Sequence, residues 1–241
     1  MSADPRRLHE LDPGAAVSRR RAVAARMDPT GATSAWQRTS PRRISPEARR
    51  RFVRQLAELL EALGLPLDTP GTRRTPERLF DALVDATDGY EGDARALTSF
   101  PSERDRAVGG AADQVVEGPI RFEALCEHHA LPFLGEAWVG YVPRGTIIGI
   151  SKLTRIVRVF ARRFTVQERL AREVTDALHT VIAADGAAIL ITASHTCTRL
   201  RGVREAGAST ATTSFCGVYE RDASLRAAFL ALATRARDDR G

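Results

Sequence analysis

The hydrophobic period changes twice between residues 114 and 220, and this alternation limits the fold more than any other feature of the chain. "QVVEGPIRFEAL" and "PFLGEAWVGYVP" read as strands, with "TIIGI" extending or following the second. Two helical patterns come next. One starts near Ser151 and sets Leu153, Ile156, Val157 and Phe160 on one side; the other spans about 166–184 with Val166, Leu170, Val174, Leu178 and Val181 apolar. "AAILITAS" and "STATTSFCGVY" return to strand, and a last helix covers roughly 223–236. Pairs of strands and helices segregated in this way predict an α+β domain, an antiparallel sheet backed by helices.

Two more helices precede that unit. Ser45 suits an N-cap, Pro46 the first helical position and Gly64 a C-terminal cap, around a stripe of Phe52, Leu56, Leu59, Leu60 and Leu63. A second helix opens at Thr75-Pro76-Glu77, and a loop follows over about 88–113. The expected division is an Arg-rich disordered extension over 1–44, a helical region over 45–113 and a catalytic domain over 114–241. Charge supports the first boundary: residues 1–51 hold twelve Arg against five acids, while the remaining 24 basic and 25 acidic residues nearly cancel. The extension carries no nucleic-acid motif, so no nucleic-acid partner is expected. No stretch reads as a membrane span or a secretory leader, and an odd count of three cysteines argues against a disulfide framework. A reducing cytoplasm is the expected setting.

One short stretch concentrates the chemistry. "CEHH" places Cys126, Glu127, His128 and His129 at the end of a strand, in a chain with three cysteines and five histidines. Cys126 and His129, three apart on a turn, can reach one ion. Cys197 ends another predicted strand, so converging strand ends give Cys126, His129 and Cys197. That is a Cys2His set with an open fourth position, the pattern of a catalytic rather than a structural zinc. His128 and His195 each neighbour a ligand without being one. Beside zinc-activated water they are suited to carrying protons near neutral pH, and hydrolysis is the natural reaction class. His179 lies in a predicted helix away from both clusters and is read as structural.

Anion-binding groups accompany this set. "SKLTR" sets Lys152, the chain's one lysine, and Arg155 on one face of a helix start, with Ser151 as the expected N-cap. Arg201 follows Cys197 closely enough to reach the same pocket. Together they point to a phosphorylated substrate. Glu168 keeps two readings: with Thr165 it forms a T-x-x-E capping box, and a carboxylate at a helix start can also read a base edge.

"CEHHALPF", "GYVP", "IGISKLTRIV", "FARRFTVQERL", "SHTC" and "RLRGV" occur in the order typical of GTP cyclohydrolase I, and the chain resembles that family over about residues 46–236. The resemblance implies the tunnelling fold and a toroidal homodecamer with active sites at subunit interfaces. It implies conversion of GTP to 7,8-dihydroneopterin triphosphate and formate, the entry to folate and pterin synthesis. It implies Zn2+ on Cys126, His129 and Cys197, catalytic roles for His128 and His195, and guanine contacts from Gln167 and Glu168. Ser151, Lys152, Arg155 and Arg201 fall on its ribose and triphosphate contacts. Asp81 departs from the resemblance, standing where bacterial members often have a base, and "REAGAST" replaces a Lys-Pro-Gly-Ser-Lys-Thr run of many members. A diverged paralogue serving deazapurine or other specialised metabolism would keep the same site.

Overall fold

Ser45 starts the first helix as its sequence demands. Its Oγ accepts a hydrogen bond from the Ala48 amide at 3.1 Å, and Pro46, which has no N–H, opens α1 (Pro46–Ala62) at a position where an N–H would find no helical partner. The computed structural model of the chain describes residues 42–93, 99–101, 113–144, 146–180 and 182–238. Helix α1 stops at Gly64, whose φ of +94° suits a residue without a Cβ. It packs on α2 (Thr75–Ala86) through stacked Phe52 and Phe80 rings 6.3 Å apart. Arg49 holds both oxygens of Asp81 at 2.8 and 2.9 Å, so the acid that departs from the resemblance is spent on joining the two helices.

A single 3-10 turn, Asp88–Glu91, docks this helical pair on the main domain. Gly89 sits there so tightly that a Cβ would lie 2.1 Å from the Val159 carbonyl oxygen and 2.5 Å from that of Arg162. Its amide donates to Arg162 O at 2.9 Å. The loop expected over 88–113 thus contains this turn and a short strand, β1 (Ser99–Pro101), and the rest of it lies outside the described residues. The disorder expected for 1–44 falls almost wholly outside them too. Arg42, expected within the extension, is instead held to the end of α2: it donates to Val84 O at 2.8 Å and pairs with Glu91 at 3.2 Å.

The main sheet has the order β5-β2-β3-β6-β7. Its long members are β2 (Val115–Cys126), β3 (Pro132–Val142), β6 (Gly186–His195) and β7 (Thr210–Gly217), each antiparallel to its neighbour. The two-residue β5 (Phe164–Thr165) lies parallel to β2. A register shift between Glu117 and Ile120 marks a bulge that bends β2. β4 (Thr146–Ile148) leaves this sheet to pair with β1. Helices α3 (Ile150–Ala161) and α4 (Gln167–Thr180) bury Leu153, Val157, Leu170 and Val174 against Phe122, Phe133, Ile189 and Ile191 of the sheet. Its other face holds a second core of Trp138, Ala188, Tyr219 and Phe229, to which α7 (Ala223–Asp238) contributes after the one-turn helices α5 (Thr196–Arg199) and α6 (Val218–Arg221). The α+β expectation, antiparallel sheet backed by helices, is met. Among the described residues no helix is long and apolar enough to cross a membrane.

The register fixes where chemistry can gather. Leu125 faces Pro132, Phe133 faces His195, and Cys126 faces Thr165. One end of the sheet therefore carries the 126–129 turn, the end of β6 with the start of α5, and the start of α4.

Candidate metal centre

The turn after β2 closes on itself. Cys126 N donates to Leu131 O at 2.8 Å, and Ala130 N donates back to Cys126 O at 2.8 Å. Glu127 N reaches across to Thr165 O at 3.1 Å. Glu127 also takes both terminal nitrogens of Arg169 on its two oxygens, one of them at 3.0 Å. That bond, more than any other cause, holds the Glu127 carboxyl below its ordinary range. The turn is thereby fixed at its base and presents His128 and His129 outward.

Cys197, in the first turn of α5, meets this turn from the other side. The ligand atoms of Cys126, His129 and Cys197 all lie within 4.8 Å of one another. A tetrahedral zinc, with Zn–S of about 2.3 Å and Zn–N of about 2.0 Å, needs ligand pairs roughly 3.5–3.8 Å apart. Cys126 Sγ is 3.9 Å from His129 Nδ1, close to that spacing. The donor set fits a cation on a second count. All three cysteines are free, so the facing thiols do not pair as a disulfide. Burial first, then the adjacent Cys126 sulfur, push the Cys197 thiol up, a penalty that a cation between them reverses. These three residues can hold a metal ion. His128 Nδ1 is also 3.9 Å from Cys126 Sγ, yet it is not part of the three-way convergence.

His195 ends β6 two residues before Cys197. Its ring stacks on Phe133, with centroids 4.7 Å apart and planes 5° from parallel. Its Nε2 lies 2.9 Å from Gln167 Oε1. Burial lowers its pKa, and the neighbouring Glu168 carboxylate works against that shift. Gln167 is buried, and its Nε2 also donates to Thr210 O at 3.0 Å and Ile191 O at 3.3 Å. Its expected guanine contact would therefore compete with bonds already made. Phe133 and the Glu127–Arg169 pair were missing from the expected site. "ALPF" and "QERL" sit beside site residues in the sequence, but only the register brings them under the histidine and the turn.

The expected capping box does not form. Thr165 is drawn into β5 opposite Cys126, its hydroxyl donates to Val166 O at 3.2 Å, and the helix starts at Gln167. Glu168 is left exposed, with no hydrogen-bond partner among the described residues. Ser151 is not an N-cap either. Tyr141 Oη receives the Ile148 amide at 3.0 Å, α3 begins at Ile150, and Gly149 takes the cap position without a side-chain bond. The nearby amide of Lys152 is already bonded to Gly149 O, which weakens the expected anion site at this helix start. His179 bonds through Nδ1 to Ala184 O at 2.9 Å, in keeping with a structural role.

The residues expected to bind anions divide. Arg201 lies two residues past the end of α5, in an exposed stretch four residues after Cys197. Ser151, Lys152 and Arg155 do not join the cluster within one chain. β3 runs eleven residues from Pro132, beside the cluster, to Val142, roughly 30 Å of strand. α3 starts beyond that far end, so Lys152 lies on the order of 20 Å from Cys126. Arg155 is paired with Asp93 at 3.0 Å.

The description GTP cyclohydrolase I belongs to the family model that matches residues 52–234. The GTP cyclohydrolase 1 of Dictyostelium discoideum is 40% identical over 180 residues, covering 72% of this chain and 73% of that protein. That of Coxiella burnetii is 39% identical over 176 residues, covering 72% and 92%. That of Methylococcus capsulatus is 36% identical over 180 residues, covering 74% and 95%. With most of its length matched and a Cys2His cluster at one end of its sheet, the chain belongs to the GTP cyclohydrolase I family of enzymes.

Proposed function

We propose that the protein is a zinc-dependent GTP cyclohydrolase I, hydrolysing GTP to 7,8-dihydroneopterin triphosphate and formate at the start of folate and pterin synthesis. The observation that carries this reading is the meeting of two thiols and an imidazole within 4.8 Å, flanked by His128 and His195, in a chain of this family. Cys126, His129 and Cys197 would hold the zinc ion, which would supply Lewis-acid activation of a water molecule near neutral pH.

The chain's own groups then divide the work. Glu168, free of capping duty, offers two carboxylate oxygens to the N1–H and exocyclic amino group of guanine. Lys152, Arg155 and Arg201 balance the triphosphate, Arg155 exchanging Asp93 for phosphate, and Ser151 adds a contact to the ribose or triphosphate. Water adds at C8, the imidazole ring opens, and the formamide is hydrolysed to release formate. Ribose opening and ring closure follow. Each step moves a proton, and His195 is assigned to the purine steps and His128 to the later ones.

Lys152 and Arg155 lie far from the cluster within one chain. A pocket that holds both ends of GTP therefore calls for more than one copy, which supports a homo-oligomer with interface sites; the toroidal decamer of tunnelling-fold subunits is what the resemblance to the family implies. In that assembly 1–44 is an extension, 45–113 a helical region and 114–241 the catalytic domain. Three free cysteines suit a reducing cytoplasm. The test is to incubate purified full-length protein with GTP. Formate and a pterin triphosphate in equal amounts support the reading. GTP left intact sinks it, and a different hydrolysis product points to the paralogue.

A further inference from the structure

The contact between His195 and Gln167 carries more than a distance. An imidazole against an amide is ambiguous by itself, because either group can be turned over. Here the far end of the amide fixes the amide, and turning the ring over would set a C–H against its oxygen in place of Nε2 and leave that buried acceptor unpaired. Gln167 Nε2 lies 3.0 Å from Thr210 O and 3.3 Å from Ile191 O. Carbonyl oxygens only accept, so the end facing them must be the NH2 group. Turning the amide over would set its oxygen against two backbone oxygens. Gln167 is 1% exposed, so water cannot relieve that arrangement. Its Oε1 therefore faces the ring, and an amide oxygen can only accept. His195 Nε2, 2.9 Å away, must carry a hydrogen.

We infer that Gln167 is a positioning residue that fixes His195 as its Nε2–H tautomer and leaves Nδ1 as the ring nitrogen presented for proton transfer. The assignment holds for the neutral and the charged ring alike, because Nε2 is protonated in both. Nδ1 has no hydrogen-bond partner among the described residues, and the Phe133 stack fixes the plane in which it points. Gln167 thus serves the site through His195, with its amide already committed to three bonds before any substrate arrives. The inference rests on His195 being a proton carrier of the proposed reaction, but the tautomer is measured without that reaction.

The experiment uses zinc-loaded full-length protein with nitrogen-15 in its histidine rings, His195 being identified by the signals lost in His195→Asn. At alkaline pH, where the ring is neutral, Nε2 should show a one-bond coupling to hydrogen and Nδ1 none. A ring protonated on Nδ1, or an even mixture, overturns the inference and leaves the cyclohydrolase reading to stand or fall on formate release. The companion variant is Gln167→Met, which keeps length and apolar bulk but has neither donor nor acceptor. Its kcat should fall about tenfold or more with KM for GTP unchanged, and its His195 signals should become a tautomer mixture. A raised KM with kcat and tautomer unchanged makes Gln167 a substrate contact and overturns the inference. If Gln167→Met does not fold, the wild-type spectrum decides by the same criterion.

Discussion

Arg169 grips Glu127 through both carboxylate oxygens, and this pair ties the first turns of α4 to the turn that carries His128 and His129. The same stretch of α4 carries Gln167 and Glu168. The segment proposed to read guanine and the segment proposed to hold metal are therefore fixed to each other, with Glu127 N to Thr165 O as a second tie. The pair is partly solvent-exposed, so its worth to global stability is small. Its effect is expected on the centre. Glu127→Ala should leave the melting temperature nearly unchanged and weaken zinc affinity about tenfold, as loss of a group supporting metal ligands does. Competition with a chelator measures this, and an unchanged affinity would remove the pair from the centre.

The ligand assignment separates the three cysteines. Cys126→Ser and Cys197→Ser should each lose metal and turnover together. Cys216→Ser should keep both: Cys216 lies in β7, its Sγ donates to Thr175 O, and burial pushes its thiol up to about 11. His195→Ala should keep stoichiometric zinc and lose about 10²–10⁴ in kcat, the usual contribution of a proton carrier. Metal analysis beside rate measurement checks all four, and zinc loss in His195→Ala would move that histidine into the ligand set.

Glu168→Gln tests substrate recognition without disturbing the fold. No capping bond depends on Glu168, so the melting temperature should not move. A carboxylate accepts from both guanine donors, whereas Gln turns one donor toward a donor. Loss of a charged hydrogen bond costs about 1.5–3 kcal/mol, and about 1.4 kcal/mol is tenfold, so kcat/KM for GTP should fall at least about tenfold. Normal turnover by Glu168→Gln would send the search for the guanine anchor elsewhere.

Much of this was legible in the sequence, and the failures have physical causes. The strands and helices of 114–241 announce themselves by period, and Cys126, His129 and Cys197 by rarity and by their place at strand ends. Thr165 misleads because a strand partner took the backbone that the capping box needed. Ser151 misleads because the Tyr141 hydroxyl, ten residues earlier in the chain, holds Ile148 at the helix entrance. Lys152 and Arg155 look like neighbours of the metal set only while the length of β3 is ignored. The sequence marks Gln167 as a site residue but hides its contacts, since no spacing rule links residue 167 to the carbonyls of Ile191 and Thr210.

Arg42 marks where the N-terminal extension begins to matter for stability. It caps the end of α2 through Val84 O and pairs with Glu91. Arg42→Ala should cost about 1.5–3 kcal/mol, the range for hydrogen bonds to a charged group. Deleting 1–41 should cost little by comparison and leave GTP turnover nearly unchanged, while deleting 1–44 should match Arg42→Ala. Melting temperatures of the three proteins check this, and equal stability of the two deletions would contradict it.

The most direct measurement is a zinc titration of metal-stripped full-length protein, with formate release from GTP followed at each addition. Formate release should be absent without metal, rise in proportion to added zinc and level off at one zinc per chain. Formate released at full rate by the stripped protein, or none at full occupancy, would contradict a zinc cyclohydrolase centre at Cys126, His129 and Cys197.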